Sequence, residues 1–149
     1  RRRPGGPSRH SRRSDQHGRR LPHRRQHDPE ALPALDLDET DLLICENVGN
    51  LVCPAEFRIG ENIKVMVLST PEGSDKPAKY PLMFQESSAM IINKTDLLPY
   101  VDFDMEKARK DALTLNPKLE IFPVSCKTGE GLHGWTRWIG MQADAFRNA

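Results

Sequence analysis

Asn93, Lys94 and Asp96 stand in the run Asn-Lys-Thr-Asp that closes one apolar stretch, and Ser125, Cys126 and Lys127 close the next. An ionised Asp96 offers two acceptor oxygens. The Watson–Crick edge of guanine offers two adjacent donors, a ring N–H and an exocyclic amine, so a bidentate, charge-assisted pair can form. Adenine has an acceptor at the ring position and cannot make that pair, which gives Asp96 a means of choosing the base. Asn93 has the amide to tie neighbouring loops together and to bond the base. The aliphatic stems of Lys94 and Lys127 can lie over the two ring faces, and the backbone N–H of Cys126 can meet the guanine carbonyl. Asn-Lys at a strand end is also ordinary turn chemistry. The second motif, one helix later, gives the first its weight.

A third group lies upstream. Leu42–Cys45 is apolar and is followed by Glu46, with Gly49 three residues on. An acidic residue at a strand end can hold Mg²⁺ directly or through water, and a glycine lets a backbone N–H approach a terminal phosphate closely. The competing reading is a strand-to-loop turn with a solvated Glu. No catalytic side chain is assigned.

These residues need elements to position them. Leu42–Cys45, Ile63–Ser69, Ala89–Lys94 and Glu120–Ser125 are short continuous apolar segments, the pattern of strands covered on both faces in a parallel sheet. Between the last two, Asp102 or Asp104 can cap a helix that turns Met105, Ala108, Ala112 and Leu115 inward before Asn116-Pro117 ends it. After Ser125, Leu132, Trp135, Trp138, Ile139 and Ala143 recur at helical spacing and read as core packing. The class is α/β, a parallel sheet flanked by helices. In such sheets ligands sit beyond the carboxyl ends of the strands, where the polar triplets fall.

The chain has 149 residues, enough for one domain. Its near-neutral balance hides two different polymers. Residues 1–28 carry ten Arg against two Asp, a net +8, while the remainder has twelve basic against nineteen acidic residues, a net −7. The first stretch uses eight residue types with Leu21 as its single aliphatic residue, too little apolar area to offset ordering entropy, so residues 1–28 are expected to be disordered. Residues 29–149 read as globular. Cys45, Cys53 and Cys126 are an odd, unpaired set, and no secretory segment opens the chain; both favour a reducing, cytoplasmic setting. The apolar runs are strand-length, which gives no sign of a membrane span.

In this order the motifs resemble those of the P-loop GTPases. Their wording resembles one family, HypB, the nickel-incorporation GTPase of hydrogenase maturation: "ENVGNLVCPAEF", "EGSDKPAKYPLMF", "NKTDLLPYVDFDME" and "VSCKTGEGLHGW". The resemblance runs from about Glu30 to near Ile139. It implies a P-loop GTPase-type sheet, GTP or GDP with Mg²⁺, Ni²⁺ or Zn²⁺ bound beside the nucleotide, a GTP-dependent homodimer, and as partners hydrogenase maturation proteins and the hydrogenase large subunit. By position Cys53 falls on a metal-binding cysteine of that family, and thiolate suits both metals. Cys45 and Cys126 read as packing or loop residues.

The family's Gly-rich phosphate loop ending Gly-Lys-Ser/Thr is expected several dozen residues upstream of Glu46, and this sequence has no such run. The family's cysteine cluster and its Cys-His pair are also missing. The second gap falls on the Arg-rich stretch. Leu21–Asp28, back-translated with suitable synonymous codons and read one base later, yields Cys-His-Ile-Asp-Ala-Asn-Met, which resembles the absent text. Residues 1–28 are therefore read first as an out-of-frame translation, second as a solvated tail, and last as a nucleic-acid-binding arm. The expectation is the carboxyl-terminal portion of a nickel-handling GTPase, poorly active alone. The rival is a non-catalytic interaction module with a basic arm.

Overall fold

The computed structural model describes residues 39–47 and 59–148. The chain divides into units 1–41 and 42–149, the first described only at residues 39–41. The Arg-rich stretch 1–28 lies outside the described residues.

The second unit runs β1 (Val65–Ser69), a 3-10 turn (Thr70–Glu72), α1 (Lys76–Lys79), α2 (Pro81–Glu86), β2 (Ala89–Asn93), a second 3-10 turn (Thr95–Tyr100), α3 (Met105–Leu115), β3 (Glu120–Pro123) and α4 (Leu132–Arg147). The sheet order is β1-β2-β3 and both pairings are parallel. Ser69 lies opposite Asn93, and Ile92 opposite Pro123. All three strands therefore finish at one edge, as the α/β class requires.

The face covered by α2 and α3 is the core. Met66 and Leu68 of β1, Met90 and Ile92 of β2, Met83 and Phe84 of α2, Ala112 of α3 and Leu119 are buried together, with Phe103, Met105, Leu115 and Ile121 packed around them. Asp104, not Asp102, caps α3: its carboxylate accepts the Lys107 N–H at 2.8 Å. The helix ends at Leu115 because Asn116 precedes Pro117 and takes an extended conformation. Its Nδ2 then donates to the carbonyls of Phe84 (3.1 Å) and Ser87 (2.9 Å) at the end of α2. Those are acceptors that a helix terminus otherwise leaves without partners.

The other face is covered less than the sequence suggests. Phe122 of β3, on the side opposite Ile121, meets Trp135 and Trp138 of α4 at ring-centroid distances of 5.6 and 5.5 Å. No residue of α4 is fully buried, so the stripe Leu132, Trp135, Trp138, Ile139 and Ala143 is a half-buried cover and not the core expected for it. At β1 that face is open, and Val67 is 54% exposed. The expectation of a strand covered on both faces fails there.

Leu42–Cys45 corrects a second expectation. It is irregular chain, and Leu42, Leu43 and Ile44 are exposed, Ile44 by 76%. A strand exists through its ladder, and among the described residues β1 pairs only with β2, so this run has no neighbour to bond. Cys45 and Cys126 are free and exposed, which fits loop positions.

Lys79 Nζ lies 2.6 Å from Asp75 Oδ2. That hydrogen bond holds Asp75 below its ordinary 3.8 and Lys79 above its ordinary 10.5. Asp75 therefore contributes stability above pH 3.8 and loses it as the pH falls through its depressed value. Lys79 contributes below pH 10.5 and loses it as the pH rises through its raised value. Both side chains are more than half exposed, so the pair is worth little in salt.

Asn116→Ala leaves the carboxyl end of α2 without its donor and should cost roughly 1–3 kcal/mol. Urea unfolding checks this, with an unchanged m-value expected.

Candidate functional site: the loops after β2 and β3

Asn93 ends β2 and Lys94 turns the chain. Lys94 has φ 65° and ψ 40°, the one positive-φ residue other than glycine among the described residues. The strain of that left-handed turn is offset locally, because Asn93 Oδ1 accepts the Lys94 N–H at 2.7 Å. The turn brings Asp96 back over the strand ends within the 3-10 segment Thr95–Tyr100.

The loop after β3 meets it. Val124 N–H donates to Ile92 O at 2.8 Å and Thr95 N–H to Val124 O at 3.1 Å, which extends the parallel ladder past the end of β3. Ser125 is fully buried, and its Oγ donates to Asp96 Oδ1 at 2.6 Å while accepting the Thr128 N–H at 3.2 Å. Ser125 N–H donates to Glu130 O, and Gly129 N–H to Ser125 O, closing the loop on itself. Gly131 lets the loop press against β3. It has φ 74°, and a Cβ there would lie 2.1 Å from the Pro123 carbonyl oxygen.

Asn93, Asp96, Ser125 and Cys126 are thus one hydrogen-bonded cluster. Asp96 is half-buried, and among the described residues its Oδ2 accepts no hydrogen bond, nor does Asn93 Nδ2 donate one. Lys94 and Lys127 are exposed. One detail departs from the sequence reading: the Cys126 N–H, expected to be free for a base carbonyl, donates to Asn93 Oδ1 at 3.2 Å. At that length the bond can be shared with an incoming oxygen.

Of the upstream group, Glu46 alone is described. Glu46 is exposed in irregular chain and does not close a strand. Gly49 and Cys53 lie outside the described residues. Among the described residues no three His, Cys, Asp or Glu side chains gather where they could hold a metal, and no helix is long and apolar enough to cross a membrane.

Sequence reasoning missed Thr70 and Thr128. Thr70 is buried and its hydroxyl donates to the Lys94 carbonyl at 2.8 Å. Aligning the carboxyl ends of the strands would have found it, since it follows Ser69, the partner of Asn93.

A family model described as the CobW/HypB/UreG nucleotide-binding domain matches residues 19–123. The chain belongs to the CobW/HypB/UreG family. The match begins inside the Arg-rich stretch and ends before Ser125. Within the family the chain is similar to the hydrogenase maturation factor HypB of Escherichia coli K12, 52% identical over 76% of this chain and 39% of that protein. It is also similar to a probable hydrogenase maturation factor HypB of Methanocaldococcus jannaschii, 46% identical over 68% of this chain and 46% of that one. Two crystal structures of HypB share the fold. The protein from Archaeoglobus fulgidus aligns with a TM-score of 0.62 and 38% identity over 64% of this chain and 47% of that one. The protein from Helicobacter pylori, in complex with nickel, aligns with 0.63 and 35% over 66% and 46%. This chain spans less than half the length of these HypB proteins.

Thr95 Oγ1 is buried and has no hydrogen-bond partner among the described residues. Thr95→Val removes that desolvation penalty and should stabilise the chain by about 1 kcal/mol. The check is a rise in the urea midpoint.

Proposed function

We propose that the loops after β2 and β3 bind guanine, and that the chain is the base-recognising portion of a GTP-hydrolysing nickel metallochaperone for hydrogenase maturation. The observation that carries this reading is the 2.6 Å bond from Ser125 to Asp96 Oδ1. It aims a carboxylate with a spare oxygen at the strand ends, beside the amide of Asn93 and between two loops that each carry an exposed lysine. Asp96 takes the ring N–H and the exocyclic amine of guanine. Asn93 Nδ2 donates to the base, the stems of Lys94 and Lys127 cover its faces, and the Cys126 N–H takes the carbonyl. Membership in a nucleotide-binding family supports the same assignment.

Glu46 and Gly49 are proposed for the Mg²⁺ and phosphate side. Glu46 would hold Mg²⁺ directly or through water, and the ion would supply positive charge beside the phosphates. Cys53 is proposed as a ligand for Ni²⁺ or Zn²⁺, the cargo. The nickel-bound relative supports nickel, and maturation proteins, the hydrogenase large subunit and a second copy are the proposed partners. Because the sequence holds no Gly-Lys-Ser/Thr phosphate loop, this chain by itself should bind guanine nucleotides weakly and hydrolyse GTP hardly at all.

Titration of the whole chain with GDP and ADP tests the base assignment. GDP should be preferred, and Asp96→Asn should weaken it roughly 10- to 100-fold, the range for losing a charge-assisted pair. Asn offers one acceptor and one donor, so the same variant should gain affinity for xanthosine diphosphate, whose base has a carbonyl where guanine has the amine. Equal binding of GDP and ADP by the unmodified chain would sink the reading and favour an interaction module.

A further inference from the structure

Both backbone groups of Lys94 are held. Its N–H goes to Asn93 Oδ1, and its carbonyl accepts the Leu97 N–H at 2.9 Å and the Thr70 hydroxyl at 2.8 Å. The first two bonds are made within the turn itself. Thr70 alone reaches in from another strand end, 24 residues earlier in the chain. It is 1% exposed and rigid at χ1, which fixes its hydroxyl as an anchor. A residue with a Cβ resists the left-handed conformation that Lys94 adopts. The Leu97 bond travels with the turn; Asn93 Oδ1, which also takes the Cys126 N–H, and the Thr95 N–H, which meets the Val124 carbonyl, tie the turn to the β3 side, and the Thr70 hydroxyl ties it to the β1 side.

We propose that Thr70 is a positioning residue of the base site: its hydroxyl fixes the Lys94 carbonyl, and through it the direction of the Lys94 stem and the placement of Asp96. The inference rests on the base-binding reading. Thr70 touches no base. It acts through Lys94, by keeping the site organised before the nucleotide arrives, so that binding does not have to order the turn. The buried position itself would accept a valine, which has the shape of threonine without the donor. Burial thus explains an apolar or β-branched residue at 70, and the hydrogen bond explains the hydroxyl.

The experiment compares the full chain with Thr70→Val and Thr70→Ser by two NMR readouts. The first is the intraresidue HN–Hα cross-peak of Lys94, which is strong only at positive φ. The second is the ratio of GDP to ADP affinity from shift titrations at millimolar nucleotide. Thr70→Val should weaken the cross-peak and lower GDP affinity about 3- to 10-fold, the worth of one neutral hydrogen bond, with ADP unchanged. Thr70→Ser should restore both. Either readout remaining at the unmodified value in Thr70→Val overturns the inference, as does a fall in melting temperature with the ratio intact. Should Thr70→Val fail to fold, Thr70→Ala is read in the same way. Should the unmodified chain bind GDP and ADP alike, the base-binding reading fails, and the Lys94 cross-peak alone decides whether Thr70 sets the turn.

Discussion

The hydrogen bond from Ser125 to Asp96 joins two segments that have no local reason to meet. Each loop taken separately is a turn after a strand. Parallel pairing puts both turns at one edge of the sheet, since successive parallel strands must end on the same side. The bond then makes a shared rim from them. Burying the Ser125 hydroxyl is tolerated because both of its roles are filled, donor to Asp96 and acceptor from Thr128. The carboxylate gains a fixed direction while keeping an oxygen to spare.

The scaffold beneath divides its labour between faces. The side under α2 and α3 is dry and closely packed, with Met66, Leu68, Phe84, Met90 and Ile92 essentially inaccessible. It holds the strand ends in register. Among the described residues the opposite side is covered in part, by Trp135 and Trp138, which stack on each other 5.6 Å apart and lean on Phe122. Asn116 links the two crossover segments by closing α2 with a side chain from the end of α3. Rigidity in the rim is thus inherited from one side of the sheet.

Much of this was legible in the sequence, for identifiable reasons. The runs that became β1, β2 and β3 are apolar and β-branched, and the Asn116-Pro117 pair and an acidic cap bound α3 by purely local chemistry. Asn93, Asp96 and Ser125 could be placed together because topology alone puts them at one edge. Leu42–Cys45 misled because an apolar run reports its own composition and says nothing about whether a partner strand lies beside it. The α4 stripe misled in the same way: its spacing fixes which side of the helix is apolar, and how deeply that side is covered depends on what packs there. Thr70 was invisible because a threonine after a strand has many ordinary uses, and its bond to Lys94 depends on the fold bringing two strand ends side by side.

β2 has a neighbour on either flank, whereas the outer flank of β1 has none among the described residues. All amides of β2 face one neighbour or the other, whereas only alternate amides of β1, and likewise of β3, face β2, so both outer strands are less guarded than the central one. Thr70 directly follows β1, so loosening of that strand reaches Lys94 through the Thr70 hydroxyl. A polypeptide lying along β1 would damp that loosening and tighten the turn from behind without touching it.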